Sequence, residues 1–219
     1  MSEDQPPVFP GWDERYQQQA VETMPWFYPE LDDDLRQALD QLGLRGGSAL
    51  DLGTGPGTQA IQLAQRGFDV TAADISEAAI RLAHAKAEAQ GLAIAWQQDD
   101  ILSTRLTGPF DLVFDRGCFH VLPAERRLDY VSTIAGLLRP GGYFFLKCFS
   151  HLQSGTQGPH RLSPEQIQAL FGSQLQVQSI EETVYQGTLD PLPRALFCIM
   201  QRQGLNTRRR RKSIRTRAK

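Results

Sequence analysis

Residues Ser48–Ala60 read SALDLGTGPGTQA. A short apolar run carries one acid, Asp51. Three glycines follow at alternate positions, Gly53, Gly55 and Gly57, and then a segment with helical character. Glycine costs nothing where a backbone must turn sharply or come close to a ligand, so a bare loop at the end of a strand points to a nucleotide-type cofactor. A phosphate-binding P-loop needs G-x-x-x-x-G-K-[ST], and no lysine follows these glycines, which excludes it. The dinucleotide fingerprint G-x-G-x-x-G needs its third glycine where Thr58 stands.

The chain around the loop alternates strand and helix patterns. SALDL reads as a first buried strand, and TQAIQLAQRG as a helix closed by Gly67. FDVTAAD is a second strand ending at Asp74, after which Ser76 caps an alanine-rich helix running to Gly91. LAIAWQQDD is a third strand and FDLVFD, after the Gly108–Pro109 turn, a fourth. LPAERRLDYVSTIAGLLRPGG places Leu128, Val131, Ile134 and Leu138 at helical spacing, and YFFLKCFS is a fifth strand. Ser163, Pro164 and Gln166 make a capping-box start to a helix that ends at Gly172. QVQSIEETVY and ALFCIMQRQ form a terminal hairpin. Upstream, Gly11 to Asp40 reads as helical segments broken at Pro25 and Pro29, the last being DLRQALDQLGL with Leu35, Leu39 and Leu42 on one face. This alternation predicts an α/β fold: a doubly wound, Rossmann-like, mostly parallel sheet with helices on both faces. Ligands of such sheets sit outside the carboxyl ends of the strands, near the first.

Those strand ends carry acids. A pyrophosphate wants bare N–H groups without a crowding carboxylate, whereas Asp51 suits a ligand presenting an amine or a cation. S-adenosylmethionine has both an ammonium and a sulfonium. Asp74, 17 residues after Gly57, can take two ribose hydroxyls, and Asp100 can accept from an adenine amine while the Ile101 N–H faces a ring nitrogen. A nicotinamide-dependent dehydrogenase stays open at this point, since Asp74 would suit the ribose of either cofactor.

LDLGTGPGT, VTAADIS, WQQDDIL, GPFDLVFDRGCFHVL and LLRPGGYFFL, in this order, resemble the successive motifs of class I S-adenosylmethionine-dependent methyltransferases, over roughly Ala49–Leu146. The resemblance implies a seven-stranded sheet with an antiparallel last strand, which the terminal hairpin fits. It also implies that Asp51 and Gly53–Gly57 line the methionine moiety, Asp74 the ribose, and Asp100 with Ile101 the adenine, Ile75 and Asp115 completing the cofactor-binding set. WDERYQQQAVETMPW and FDRGCFHVLP resemble, more narrowly, the small-molecule thiol and tellurite-resistance-like methyltransferases. By that likeness an N-terminal helix covers the cofactor and Trp26 packs near the sulfonium, where a ring face gains cation–π attraction.

The acceptor pocket is expected at the ends of strands four and five. Arg116, Cys118 and His120 follow strand four and are the candidate catalytic residues; Cys148 and His151 follow strand five. The preferred reading has His120 assist deprotonation of a small acceptor, a thiol or other soft nucleophile. A soft metal or metalloid site is a second reading, since thiolate and imidazole favour such ions; no resident metal is expected. A third is a non-catalytic cofactor-binding sensor or scaffold. Arg194 could anchor an acceptor carboxylate. The acceptor's identity and the oligomeric state are not encoded in these motifs.

Composition agrees with one α/β domain. The 219 residues are 41% hydrophobic and 22% charged, and no apolar run is long enough to cross a membrane. MSEDQPPVFP lacks the apolar core of a secretory signal, and three cysteines without C-x-x-C spacing suit reduced thiols, so a cytoplasmic location is expected. The net charge of −2 conceals RRRRKSIRTRAK at 208–219; without its eight Lys and Arg, 15 basic residues face 25 acidic ones. That acidic body argues against nucleic acid as substrate and leaves only the tail as a weak anchor for polyanions. The expected layout is an N-terminal helical lid over 1–45, a cofactor-binding methyltransferase domain over 46–203 and a basic disordered tail over 204–219.

Overall fold

A computed structural model describes residues 11–204; the first ten residues and the basic run beyond 204, with the role expected of it, lie outside the described residues. The apolar run before the glycines is strand β1 (Gly47–Leu52), and its parallel neighbours are β2 (Phe68–Asp74) and β4 (Phe110–Arg116). β3 (Ala95–Gln98) pairs with β2, and β5 (Leu138–Phe149) with β4, both parallel. β7 (Arg194–Arg202) inserts antiparallel between β5 and β6 (Leu175–Val184), giving the order β3-β2-β1-β4-β5-β7-β6. The expected seven-stranded, mostly parallel sheet is therefore present. Its switch point lies between β1 and β4.

Helices α2 (Asp33–Gln41) and α3 (Thr58–Gln65) bury Leu35, Leu39 and Leu63 on one face, against Ala49, Leu112 and Phe145. α5 (Arg127–Leu137) and α6 (Pro164–Phe171) bury Tyr130, Ile134 and Phe171 on the other, against Leu50, Val113 and Phe144. Ser76 caps α4 (Glu77–Glu88) as its position predicts, and Ser163 and Gln166 complete the capping box of α6. Short α1 (Trp12–Gln18) rests on α4, with Tyr16 and Met24 packed against Ala78 and Ala79. Trp12–Tyr28 thus covers the carboxyl ends of the strands, while α2 packs into the body of the fold.

Two details depart from the periodicity. Leu128, placed on the apolar face by spacing, is 61% exposed. Pro123 holds an extended backbone, a 3-10 turn fills Ala124–Arg126, and α5 opens only at Arg127, so Tyr130, Val131 and Ile134 define the buried face. The second departure is in β5. Tyr143 and Phe145 pack on the α2 side and Phe144 and Leu146 on the α5 side; one step further along this alternation Lys147 stands among apolar neighbours, fully buried.

The ammonium of Lys147 is matched by Asp32. This N-cap residue of α2 accepts the N–H groups of Asp34 and Leu35 on Oδ1, while Oδ2 accepts Lys147 Nζ at 2.8 Å and Arg116 Nε at 2.9 Å. Lys147 also donates to Asp34 Oδ2 and Gln186 Oε1. Burial pushes the Asp32 carboxyl up, but Lys147 and Arg116 together outweigh it and hold the group below its ordinary value. A depressed carboxyl contributes stability above its unfolded pKa and loses it as pH falls through the folded value, so this network weakens only in acid. Removing the anion would leave buried Arg116 without a carboxylate and Lys147 with Asp34 alone. Asp32→Ala is therefore expected to lose about 3–5 kcal/mol of unfolding free energy in urea titrations at pH 7. The deficit should begin to shrink below about pH 4, the ordinary carboxyl value, and close as pH falls through the lower folded value of wild-type Asp32.

Candidate active site

A cavity of about 890 Å3 opens at the switch point. Its floor is the glycine loop. Gly53 and Gly55 adopt φ of +65° and +51°, and a Cβ on Gly55 would lie 2.6 Å from the Tyr16 hydroxyl, so the loop is bare both for its conformation and for the α1 cover above it. Gly57, expected at the cofactor, is not on the cavity wall. It starts α3 at φ +79°, and a Cβ there would meet Ala83 at 2.6 Å and Trp96 at 2.9 Å, so this glycine lets α3 pass α4 and β3.

The acids divide in the same way. Asp51 is on the wall and buried; burial raises its carboxyl to about 7, against hydrogen bonds from Thr54 and the Ala60 amide and helped by Asp115 and Asp74. Asp74 accepts the N–H of Gly55 on Oδ2 and that of Ser76 on Oδ1, both at 2.8 Å, and burial raises it too. A carboxylate offers about four lone-pair sites, so Asp74 keeps capacity for hydroxyl donors. Ile75 and Asp100 are exposed and Ile101 is buried, all three on the wall; Asp100 caps the turn Ile101–Ser103 by accepting from Leu102 N. Asp115 is corrected: it is not on the wall. Its carboxylate accepts N–H groups of Gly117, Cys118 and Phe119 and the Tyr130 hydroxyl, so it builds the turn after β4 from behind.

Of the candidate catalytic groups, Arg116 is committed to structure. Besides Asp32 it donates to the carbonyls of Trp26 (3.0 Å) and Gln186 (2.5 Å), and its guanidinium lies 4.4 Å from the Tyr185 ring centroid. It holds the N-terminal cover and the β6–β7 connection together. Cys118 is on the wall, but burial first and Asp115 next push its thiol well above the ordinary value, so it is not a thiolate. His120 also lines the cavity, buried, stacked on Tyr185 and edge-on to Phe149. Its Nδ1 accepts the Phe149 N–H at 3.1 Å, so that nitrogen carries the lone pair and Nε2 carries the proton. Burial, with Arg116 and His160 adding to it, lowers its pKa to about 3. The expectation that His120 removes a proton is corrected: its second nitrogen is a donor.

The cysteines and histidines do not converge. Cys148 is buried and hydrogen-bonded to Cys198, His151 is exposed, and no cluster of three potential metal ligands exists among the described residues. Arg194 pairs with Glu182 at 3.4 Å.

Several wall residues were not singled out from sequence. Arg15 lies over the rings of Trp12 and Trp26, which meet edge to face at 5.7 Å, and so Trp26 does reach the cavity wall. Asp99 keeps a buried Oδ1 without a hydrogen-bond partner while Oδ2 accepts from Arg105 N and Gln97. Arg161 donates to the carbonyls of Gln153, Ser154, Gln157 and Pro159, and pins that loop across the far side. The WDERY and QQDD strings signalled Arg15, Tyr16 and Asp99; nothing local signalled Tyr185 or Arg161.

The described residues fit a bulky donor with an ammonium, a diol and an exocyclic amine: bare amides and Asp51 at one end, Asp74 centrally, and Asp99 Oδ1 and Asp100 at the other. Comparison with known proteins agrees. A methyltransferase-domain family model matches residues 49–142. A 2-heptyl-1-hydroxyquinolin-4(1H)-one methyltransferase of Mycobacteroides abscessus is 27% identical over 167 residues, covering 74% of this chain and 73% of that one. An uncharacterized methyltransferase of Schizosaccharomyces pombe is 33% identical over 113 residues, 51% of this chain and 78% of that one. A structure solved for the conversion of a disulfide bond into a thioacetal group during echinomycin biosynthesis shares the fold, with a TM-score of 0.76 at 24% identity over 88% of this chain and 92% of that one. A glycine loop backed by strand-end acids, on a sheet of this order and with these relatives, leads to one conclusion: the chain belongs to the class I S-adenosylmethionine-dependent methyltransferases.

Proposed function

We propose that this enzyme methylates a small-molecule acceptor at a soft nucleophilic atom, a thiol being one such group. The observation that carries the reading is the second half of the cavity. Beyond the cofactor acids it continues between His120, Phe149 and Tyr185, roofed by Trp26 on one side and by the loop Gln153–Pro159 on the other. Its size is right for a small ligand beside the donor, and its ring walls suit an apolar or conjugated molecule. The relative from Mycobacteroides abscessus, named for a hydroxyquinolone substrate, supports a small acceptor here.

S-adenosylmethionine supplies a methyl group already activated on a sulfonium. The protein's work is consequently alignment and exclusion of water, effects worth up to roughly 7–11 kcal/mol in well-oriented systems. We assign Asp51 and the Gly53–Gly55 amides to the methionine moiety, Asp74 with Ile75 to the ribose, and Asp100, Ile101 and the free oxygen of Asp99 to the adenine. Trp26 closes the sulfonium side, and Arg116 fixes Trp26 and the Gln186 segment in place. Trp12–Tyr28 serves as the lid, shorter than 1–45 because α2 packs into the body.

Two outcomes test this arrangement. Burial pushes the Asp51 carboxyl up to about 7, and a bound ammonium favours the carboxylate. The donor's dissociation constant by calorimetry should therefore tighten with rising pH, by up to about eightfold between pH 6 and 7.5, and the slope should vanish in Asp51→Asn. Arg161 donates its hydrogen bonds to the acceptor-side loop. Arg161→Met should raise the acceptor KM about tenfold or more, from the loss of charge-assisted hydrogen bonds, and leave the donor's dissociation constant within about twofold.

A further inference from the structure

We propose that the acceptor arrives with its nucleophilic atom already ionised, as a conjugated acid such as a heteroaromatic hydroxyl or thiol, and that His120 meets it as a neutral N–H donor. This rests on the small-molecule reading above and deepens it. On the acceptor side of the cavity wall, the side chains that could take a proton are otherwise engaged, and His160, whose Nε2 has no partner, is not on that wall. The His120 lone pair is spent on the Phe149 amide. The Tyr185 hydroxyl donates to the Arg116 carbonyl at 2.7 Å, and burial raises its pKa. Cys118 is held as a thiol. Asp115 lies behind the turn with its oxygens taken by three amides and Tyr130.

What faces inward is donors. His120 Nε2–H has no hydrogen-bond partner among the described residues, although the atom is not among the buried unpartnered ones, so it opens on the cavity. The groups packed around its ring come from several elements: Arg116 from β4, Phe149 from β5, Tyr185 from the β6–β7 connection and His160 from the loop after β5. None is a carboxylate, and Arg116 and His160 both disfavour a charged imidazole. The Arg161 guanidinium, on the same wall, pairs with carbonyl oxygens and with no carboxylate among the described residues. An anion is thus better accommodated here than the acid it comes from. Conjugation supplies both the low pKa and a flat shape to lie against Phe149 and Tyr185.

The step then needs no base. A lone pair of the acceptor anion attacks the methyl carbon, the new C–O or C–S bond forms as the S–CH3 bond breaks, and that electron pair returns to sulfur. Anion and sulfonium become two neutral products, and no proton moves.

The test is a pH profile of kcat/KM for the acceptor, at saturating S-adenosylmethionine so that Asp51 does not enter, with the full-length enzyme and a series of ring-substituted thiophenols and hydroxyquinolines of graded acidity. The midpoint of each profile should follow the acceptor's own pKa, both in the wild type and in His120→Gln, which keeps an N–H near Nε2. His120→Ala should lose about 10–100-fold in kcat/KM without moving any midpoint. A single midpoint common to all acceptors, or a rate that does not fall when a weak acid is offered far below its pKa, would overturn the inference alone. The wild-type series decides even if the variants fail to fold. No turnover with any member by protein that binds the donor would overturn the small-molecule reading, and this inference with it.

Discussion

The Asp32 carboxylate is the contact on which the site depends. It sits at the N-terminus of α2 with no exposed surface, and it accepts from Lys147 and Arg116 on a single oxygen. Burying three charges costs several kcal/mol each unless they satisfy one another and their remaining hydrogen-bonding capacity, and here they do. Lys147 fills its three donors with Asp32, Asp34 and Gln186, and each Arg116 nitrogen donates once, to Asp32 or to one of two carbonyls. Through those carbonyls, of Trp26 and Gln186, one ion cluster ties four separate parts of the chain at the rim of the cavity: the N-terminal cover, β4, β5 and the β6–β7 connection. Thr188 reinforces the seam by bonding to the carbonyls of Met24 and Pro25. A purely apolar cluster would bury the same surface but would not fix where Trp26 and Tyr185 stand.

The cavity is electrostatically two-sided. The ends of β1, β2 and β3 present acids, with Asp51 held near neutrality and Asp99 keeping a free oxygen, which suits a donor rich in N–H and O–H groups and bearing positive charge. The cavity wall at the ends of β4 and β5 presents the His120 ring with its lone pair already taken and the Cys118 thiol. The difference comes from backbone amides. After β4, three of them consume Asp115, and the Phe149 amide consumes the lone pair of His120. The same residue types could have been ligands or bases; their hydrogen-bond partners decide that they are scaffold and donor. Asp115 and Arg116 show how adjacent charged residues at a strand end can both be absorbed by the fold.

Much of this was legible from local signals. Alternating strand and helix patterns predict the doubly wound sheet, because a strand buried on both faces must be apolar throughout and a helix on its face must be apolar along one stripe. Ser76 and Ser163 cap the helices they precede, since capping is a contact between residues two or three apart. Leu128 shows where such reasoning fails: the same spacing can face either way, and the turn before α5 chose. Gly57 fits the glycine pattern of a ligand loop, yet its neighbour is Ala83, 26 residues along, and the helix packing that makes it necessary is a long-range fact.

By sequence alone, the alternating strand and helix patterns predicted the fold class, and the ordered motifs, through their resemblance to class I methyltransferases, named the methyl donor. These are properties of short segments: a buried strand, a glycine turn and a carboxylate at a strand end are legible almost without reference to the rest of the chain. Only the tertiary structure decided what Arg116, Asp115 and His120 do, and that Lys147, Tyr185 and Arg161 matter. A titratable side chain takes its role from which lone pair or proton its neighbours leave free, and those neighbours, Asp32 for Arg116 and the Phe149 amide for His120, lie 84 and 29 residues away in the chain.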